Sequence, residues 1–164
     1  MAIISYAITE QEYMDGRKTV TRRFWNKRHL ENWQRWYDQG KRLHDGWSKV
    51  PFAGGRFLAQ FILTARPFLQ PLGHMTADDL IAEGGMCASV AAFCDLIGHP
   101  PEDEPAVVRF MKVEQFRDCP DCDGGRWAHC VDRTGLSGAE EVCRLFHVSA
   151  DGIVTNNGGG CIPF

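Results

Sequence analysis

No stretch of the 164 residues is apolar for the roughly 20 positions that a membrane-spanning helix needs. The opening Met1-Ala-Ile-Ile-Ser-Tyr6 is a short apolar run without a basic flank, so no secretory leader is expected there. The seven cysteines do not form an even set, which argues against a disulfide framework. These absences leave a cytoplasmic protein with thiols or metal ligands as the expectation. A strong net charge is also missing, the total being −3. That small total conceals an asymmetry. Residues 1–66 carry 12 Lys/Arg against 6 Asp/Glu, or +6, and residues 67–164 carry 6 against 15, or −9, which together give the −3. The first part is suited to a polyanion and the second repels one. With 44% hydrophobic residues and 11% aromatic, the chain can bury the core of one ordinary domain and carry an appendage.

What is present in quantity is positive charge at Asp15-Gly-Arg-Lys-Thr-Val-Thr-Arg-Arg23, with four cations and two hydroxyls in nine residues. Thr9 with Glu12 three residues later predicts a capping box opening a short helix to Met14. Gly16 falls where a helix end takes a left-handed residue, and Thr19-Val20-Thr21 is β-branched and suits a strand. A turn of this composition presents polar groups to a phosphate, a base or a small substrate. The plainer reading, a solvated basic strand end, carries similar weight from spacing alone.

Along the rest of the chain, Ile3 to Ala7 reads as a first strand. Asn26 caps a helix from Lys27 to Gln39 that stops at Gly40, and Leu30, Trp33, Trp36 and Tyr37 share its apolar face. Packing of that face onto the domain is favoured over an exposed stacking surface. Lys41 to Gly55 reads as a loop and Arg56 to Thr64 as a buried strand. Thr76 opens a helix, with acids in its first turn, that runs to Glu83 and stops at Gly84-Gly85. A second helix spans about Ser89 to Ile97, with Cys94 as a core thiol. Ala106 to Val113 alternates as a strand.

The order of these elements and the motif Gly16-Arg-Lys-Thr-Val-Thr-Arg-Arg23, with Ile4 to Tyr6, Thr76 to Glu83-Gly84 and Val107-Val-Arg-Phe110, resembles the ASCH-domain family, relatives of the PUA domains. The resemblance covers about residues 1–116. It implies an α+β class: a small PUA-like β-barrel with flanking helices, here with a Trp-rich helical insertion over about 25–55. It also implies binding of RNA, a nucleotide or a modified base. Some members are similar to amidohydrolases that remove an acyl group from a cytidine-type nucleoside. By motif position, Lys18, Thr21 and Glu83 would be catalytic there. Thr21 would be the nucleophile, Lys18 a base with a lowered pKa, and Glu83 the acid for the leaving amine. Lys18 and Thr21 lie three apart and converge only if Lys18 is still in the turn. In the binding reading, which leads, Arg17, Lys18, Arg22 and Arg23 supply positive charge, Thr21 and Glu83 make directional contacts, and Trp25 and Trp47 are stacking partners.

Residues 117–164 hold five of the seven cysteines and form a Cys/Gly-rich C-terminal extension. Cys119-Pro-Asp-Cys122 has the spacing of a zinc knuckle. His129, Cys130, Cys143, His147 and Cys161 are candidates for the other half. Cys119, Cys122, Cys143 and His147 make a Cys3His set with structural zinc, and Cys130 in place of His147 makes a four-thiolate alternative. A redox pair and free core thiols are the competing readings. A further functional reading is an adaptor that binds protein through the Trp-rich helix or the extension.

Overall fold

One long strand, Ala106–Asp118 (β6), organises the sheet in the computed structural model, which describes residues 1–134 and 142–156. Preceding it are β1 (Ile3–Ser5), α1 (Glu10–Met14), β2 (Val20–Arg23), α2 (Lys27–Asp38), β3 (Leu43–Trp47), β4 (Phe57–Leu63), β5 (Phe68–Leu69), α3 (Ala77–Ala82) and α4 (Val90–Ile97). After it come β7 (Arg126–Asp132), β8 (Val142–Val148) and β9 (Val154–Asn156). The class is α+β, with nine strands in one mixed sheet among the described residues.

Different parts of β6 take different partners. Ala106–Arg109 pairs with β2, Phe110–Lys112 with β4, and Val113–Asp118 with β7, all antiparallel. β5 adds a short pairing at Ala106 and Val107. The sheet then runs from β4 through β3 to β1 on one side, and from β7 through β8 to β9 on the other. Among the described residues the sheet is open: β1 pairs only with β3 and β2 only with β6, so the small barrel expected over residues 1–116 is not shown. No described helix is long and apolar enough to cross a membrane.

The partner changes explain why β6 is buried on both faces. Val107 packs with Val20 and Ala82, beneath α3. Val108 and Phe110 point into a cluster with Ile4, Tyr6, Tyr13, Trp33, Phe61 and Leu63. Met111 and Val113 enter a third cluster with Leu43, Ile62, Ala128, Cys130, Phe146 and Val154. That third cluster joins β3 and β4 to β7–β9. The compositional boundary at 116/117 therefore falls inside a continuous strand.

Trp33 is fully buried and Trp36 and Tyr37 pack at the cluster's edge, so the aromatic face of α2 packs inward. Asn26 accepts from the His29 amide, as its cap position predicts. Two local expectations are corrected. Thr9 makes no side-chain cap to α1; its φ of −118° and ψ of 33° put it outside the extended conformation that an N-cap uses. The expected loop 41–55 contains β3, which pairs parallel with β1 and antiparallel with β4. Its Leu-His-Asp-Gly-Trp sequence lacks the β-branched signal of a strand. Gly46 is there for space: a Cβ would lie 2.4 Å from the Tyr13 hydroxyl, which donates to the Ala59 carbonyl at 2.9 Å.

A buried ion chain at a candidate ligand cavity

Gly16 has φ +74°, in the left-handed region glycine favours, and it ends α1 as the sequence predicts. The next amides, Arg17 and Lys18, both donate to the Glu12 carbonyl at 3.0 Å. Lys18 is thus still in the turn, and β2 begins at Val20. This lets Lys18 leave strand alternation and share a side of the fold with Thr21 and Arg22. Thr19 then ties the turn to its surroundings, its amide donating to Ala82 and its carbonyl accepting from Phe110, each at 2.9 Å.

Glu83 arrives from the end of α3. Thr76 and Asp79 close a full capping box at the helix start, so Asp79 takes the role that was read only as general first-turn acidity. Glu83 follows the last helical residue, and Gly84 beyond it has φ +119°. Lys18 Nζ donates to Glu83 Oε2 and to the Glu83 carbonyl, both at 2.6 Å. Arg22 Nη1 donates to the other carboxylate oxygen at 3.0 Å. Arg22 Nη2 lies 2.9 Å from Gln70 Oε1 and 3.3 Å from Asp79 Oδ2. Asp79 Oδ1 in turn accepts from Arg109 at 2.8 Å. The result is one chain of alternating charge, Lys18–Glu83–Arg22–Asp79–Arg109. Its first four members are at most 8% exposed.

Burial pushes the Lys18 ammonium down from its ordinary pKa; Glu83 opposes this, while Arg23 and Arg22 add to it, and the net direction is down. For Asp79 burial acts upward, but the Thr76 amide, Arg22 and Arg109 outweigh it and hold the carboxyl below its ordinary value. Arg23 donates to the Ser5 carbonyl and stands over Tyr6 at 5.9 Å from the ring centre. Burial lowers its pKa as well.

These residues line a cavity of about 290 Å³. Lys18, Thr21, Arg22, Arg23, Glu83 and Tyr6 form its polar part. Ile8, Phe24, Met86, Leu96 and His99 form a rim of largely exposed apolar and aromatic groups. Three polar atoms of its lining residues, Tyr6 Oη, Arg22 Nε and Arg23 Nε, are buried without a hydrogen-bond partner. A second cavity, about 350 Å³, includes Asp79 and Arg109 among its lining. The ion chain therefore links the two cavities.

Of the sequence-predicted site residues, Lys18, Thr21, Arg22, Arg23 and Glu83 come together. Arg17 does not line this cavity: its half-exposed side chain pairs with Asp15 at 3.1 Å and Glu12 at 3.8 Å. Trp25 stacks on Trp33, with ring centres 5.0 Å apart, and Trp47 lies edge-on to Phe57. Neither tryptophan lines the cavity. Sequence reasoning missed Tyr6, Asp79, Gln70, Phe24 and His99. Phe24 directly follows the basic motif, and that adjacency was the available signal.

A separate cluster forms at the turn from β6 to β7. Donor atoms of Cys119, Cys122 and His147 all lie within 4.8 Å of one another, with Cys122 Sγ 2.9 Å from His147 Nε2. Such a group could hold a metal ion. Gly125 makes the approach possible, because a Cβ there would be 2.2 Å from Cys122 Sγ and 3.0 Å from His147 Nε2. Two expected ligands lie outside this group among the described residues. Cys143 stands outside the cluster because β8 is extended, and four residues along a strand span about 13 Å. Cys130 is buried in the apolar cluster beneath β7, where burial pushes its thiol up to about 12. His129 faces Gln115 at 3.4 Å and is not in the group. Cys161 lies outside the described residues.

Comparison with protein-family models, with curated proteins and with solved structures finds no match.

Proposed function

We propose that this chain is an ASCH-like, PUA-related module whose cavity beside Gly16–Arg23 binds a nucleoside-sized ligand, a modified or unmodified base, free or within an RNA. The observation that carries this reading is the convergence of Lys18, Thr21, Arg22, Arg23 and Glu83 on one cavity of about 290 Å³. Ligand pockets usually start at about 300 Å³, so this space suits one base and its sugar better than a longer segment. A polar floor beneath an apolar rim matches a heteroaromatic ring with a hydrogen-bonding edge. Arg23 adds a half-buried cation whose partner is a backbone carbonyl and whose buried Nε lacks one. A ligand carbonyl or anionic oxygen is the natural complement. Isothermal titration with cytidine, uridine, adenosine and their 5′-monophosphates tests the reading. Binding that is lost in Arg23→Gln supports it; no binding by any of the six at millimolar concentration overturns it.

The 2.6 Å contact of Lys18 with Glu83 favours a second reading, amide hydrolysis of an acylated cytidine-type nucleoside. Neutral Lys18, favoured by burial, accepts the Thr21 hydroxyl proton as Thr21 Oγ1 attacks the acyl carbon. The C–N bond breaks, the amine leaves with the proton that Lys18 took, and water then hydrolyses the Thr21 ester to free the acid, while Glu83 holds the Lys18 side chain in place. The test is the ultraviolet change on conversion of N4-acetylcytidine to cytidine, comparing wild type with Lys18→Ala. Equal rates would remove this reading while leaving binding intact.

The Cys119, Cys122 and His147 group takes zinc in this proposal. Mixed thiolate and imidazole donors suit that ion, and its role is to brace the β6–β7 turn. Metal analysis of protein purified without chelator tests it, and an absence of zinc would contradict it.

A further inference from the structure

The sequence offered Trp25 and Trp47 as stacking partners for a base, and both are engaged elsewhere. At the cavity rim a different aromatic pair is already assembled. Phe24 follows the end of β2 at Arg23, and His99 follows Gly98, whose φ of +70° ends α4. Their rings stack with centres 3.6 Å apart and planes 13° from parallel. Both residues line the cavity, yet they come from elements far apart in sequence. His99 is held from its other side, since its Nδ1 lies 2.8 Å from Asp103 Oδ2. Asp103 is itself fixed in the Pro100 turn by its amide. Phe24 keeps 46% of its surface exposed despite being apolar. An aromatic side chain held parallel to a fixed imidazole, part open, beside a polar cavity, is placed to receive a third flat ring. Two χ angles already restrained by the stack reduce the entropy lost on binding.

We propose that the Phe24–His99 pair is the stacking platform that recognises the ring of the cavity's ligand, with Asp103 as the positioning residue that fixes the imidazole. The proposal rests on the nucleoside reading of the cavity. Specificity then divides between the two parts of the site. The floor reads the hydrogen-bonding edge, and the pair selects for a planar π-system over a sugar or an aliphatic group of similar volume.

The experiment is a titration of cytidine, adenosine and free ribose into the full chain and its Phe24→Leu and Phe24→Tyr variants, with the imidazole signals followed by NMR. His99 is assigned from the His99→Asn spectrum. Phe24 is half-exposed, so Leu is accommodated, and a thermal melt checks each variant. Loss of base stacking predicts nucleoside affinity about 5- to 150-fold weaker in Phe24→Leu, with Phe24→Tyr within about twofold of wild type. The His99 signals are predicted to move on nucleoside addition and to stay fixed with ribose. Wild-type binding that is unchanged in Phe24→Leu, or His99 signals that stay still at saturation, would overturn the platform and leave the cavity reading standing. If wild type binds neither nucleoside, the cavity reading fails and the platform with it.

Discussion

Replacing Glu83 by Gln keeps the shape of the side chain and removes the anion shared by Lys18 and Arg22. Lys18 is 3% exposed and Arg22 8%, so neither stranded cation gains water in compensation. Removing one partner of a buried pair costs about 3–5 kcal/mol, because the other charge stays buried and uncompensated. Arg22 retains Asp79 at 3.3 Å, so the larger share of the loss falls on Lys18. The sign of the pH dependence follows. Burial already holds the Lys18 pKa below its ordinary 10.5, and Glu83 is the main group opposing that. Between the folded and unfolded values the unfolded chain binds more protons, so stability rises with pH across that window. The penalty is complete below the folded value and vanishes above about 10.5. In Glu83→Gln the folded value falls further, and the window extends toward neutral pH. Urea unfolding of both proteins between pH 6 and 10 therefore finds the variant weaker by about 3 kcal/mol or more at pH 6, with part of the gap recovered as pH rises. With Lys18→Met as background, Glu83→Gln costs less, because only Arg22 loses a partner and it keeps Asp79. A loss under about 1 kcal/mol, flat with pH and additive with Lys18→Met, would refute the buried ion chain.

Other predictions test separate parts of the fold. His44 is 2% exposed, and burial takes its pKa down to about 3 from 6.5, so stability is full above pH 6.5 and falls as pH drops toward 3. Denaturant titrations at pH 7 and pH 4 are expected to show a loss on the order of a few kcal/mol that shrinks in His44→Gln. Gly46→Ala would force a Cβ against the Tyr13 hydroxyl and should cost about 1–3 kcal/mol in the same assay. Gly125→Ala drives a Cβ into the Cys122 and His147 donors, so zinc content should fall to that of Cys122→Ser. Cys143→Ser and Cys130→Ser should leave zinc content unchanged, because neither residue belongs to the donor cluster.

Much of the first half was legible because its signals are local. The Asn26 cap, the inward face of Trp33, the Thr76 helix start and the positive φ at Gly16 each follow from a few adjacent residues. The condition that Lys18 remain in the turn came from strand alternation, and the Glu12 carbonyl is what keeps it there. What failed depended on partners distant in sequence. β3 has weak strand composition and exists because β1 and β4 flank it. β7 to β9 were hidden behind cysteine and glycine content, though Ala128, Cys130 and Phe146 supply ordinary core contacts. Cys143 with His147 looked like a second ligand pair, but that spacing brings donors together on a helix or where the chain turns, and β8 is extended. Nothing local to Tyr6 or Asp79 announces a place at the cavity or in the ion chain; those places come from partners distant in sequence, Arg23 at Tyr6 and Arg22 and Arg109 at Asp79.

We propose one cavity, floored by Lys18 and Glu83, that takes a nucleoside-sized ligand. The direct measurement is a titration of cytidine and N4-acetylcytidine into isotope-labelled protein, following backbone amide signals by NMR. Saturable shifts concentrated at Tyr6, Lys18, Thr21–Phe24, Glu83 and His99 are expected. Shifts confined to other surfaces, or none at millimolar ligand, would contradict it.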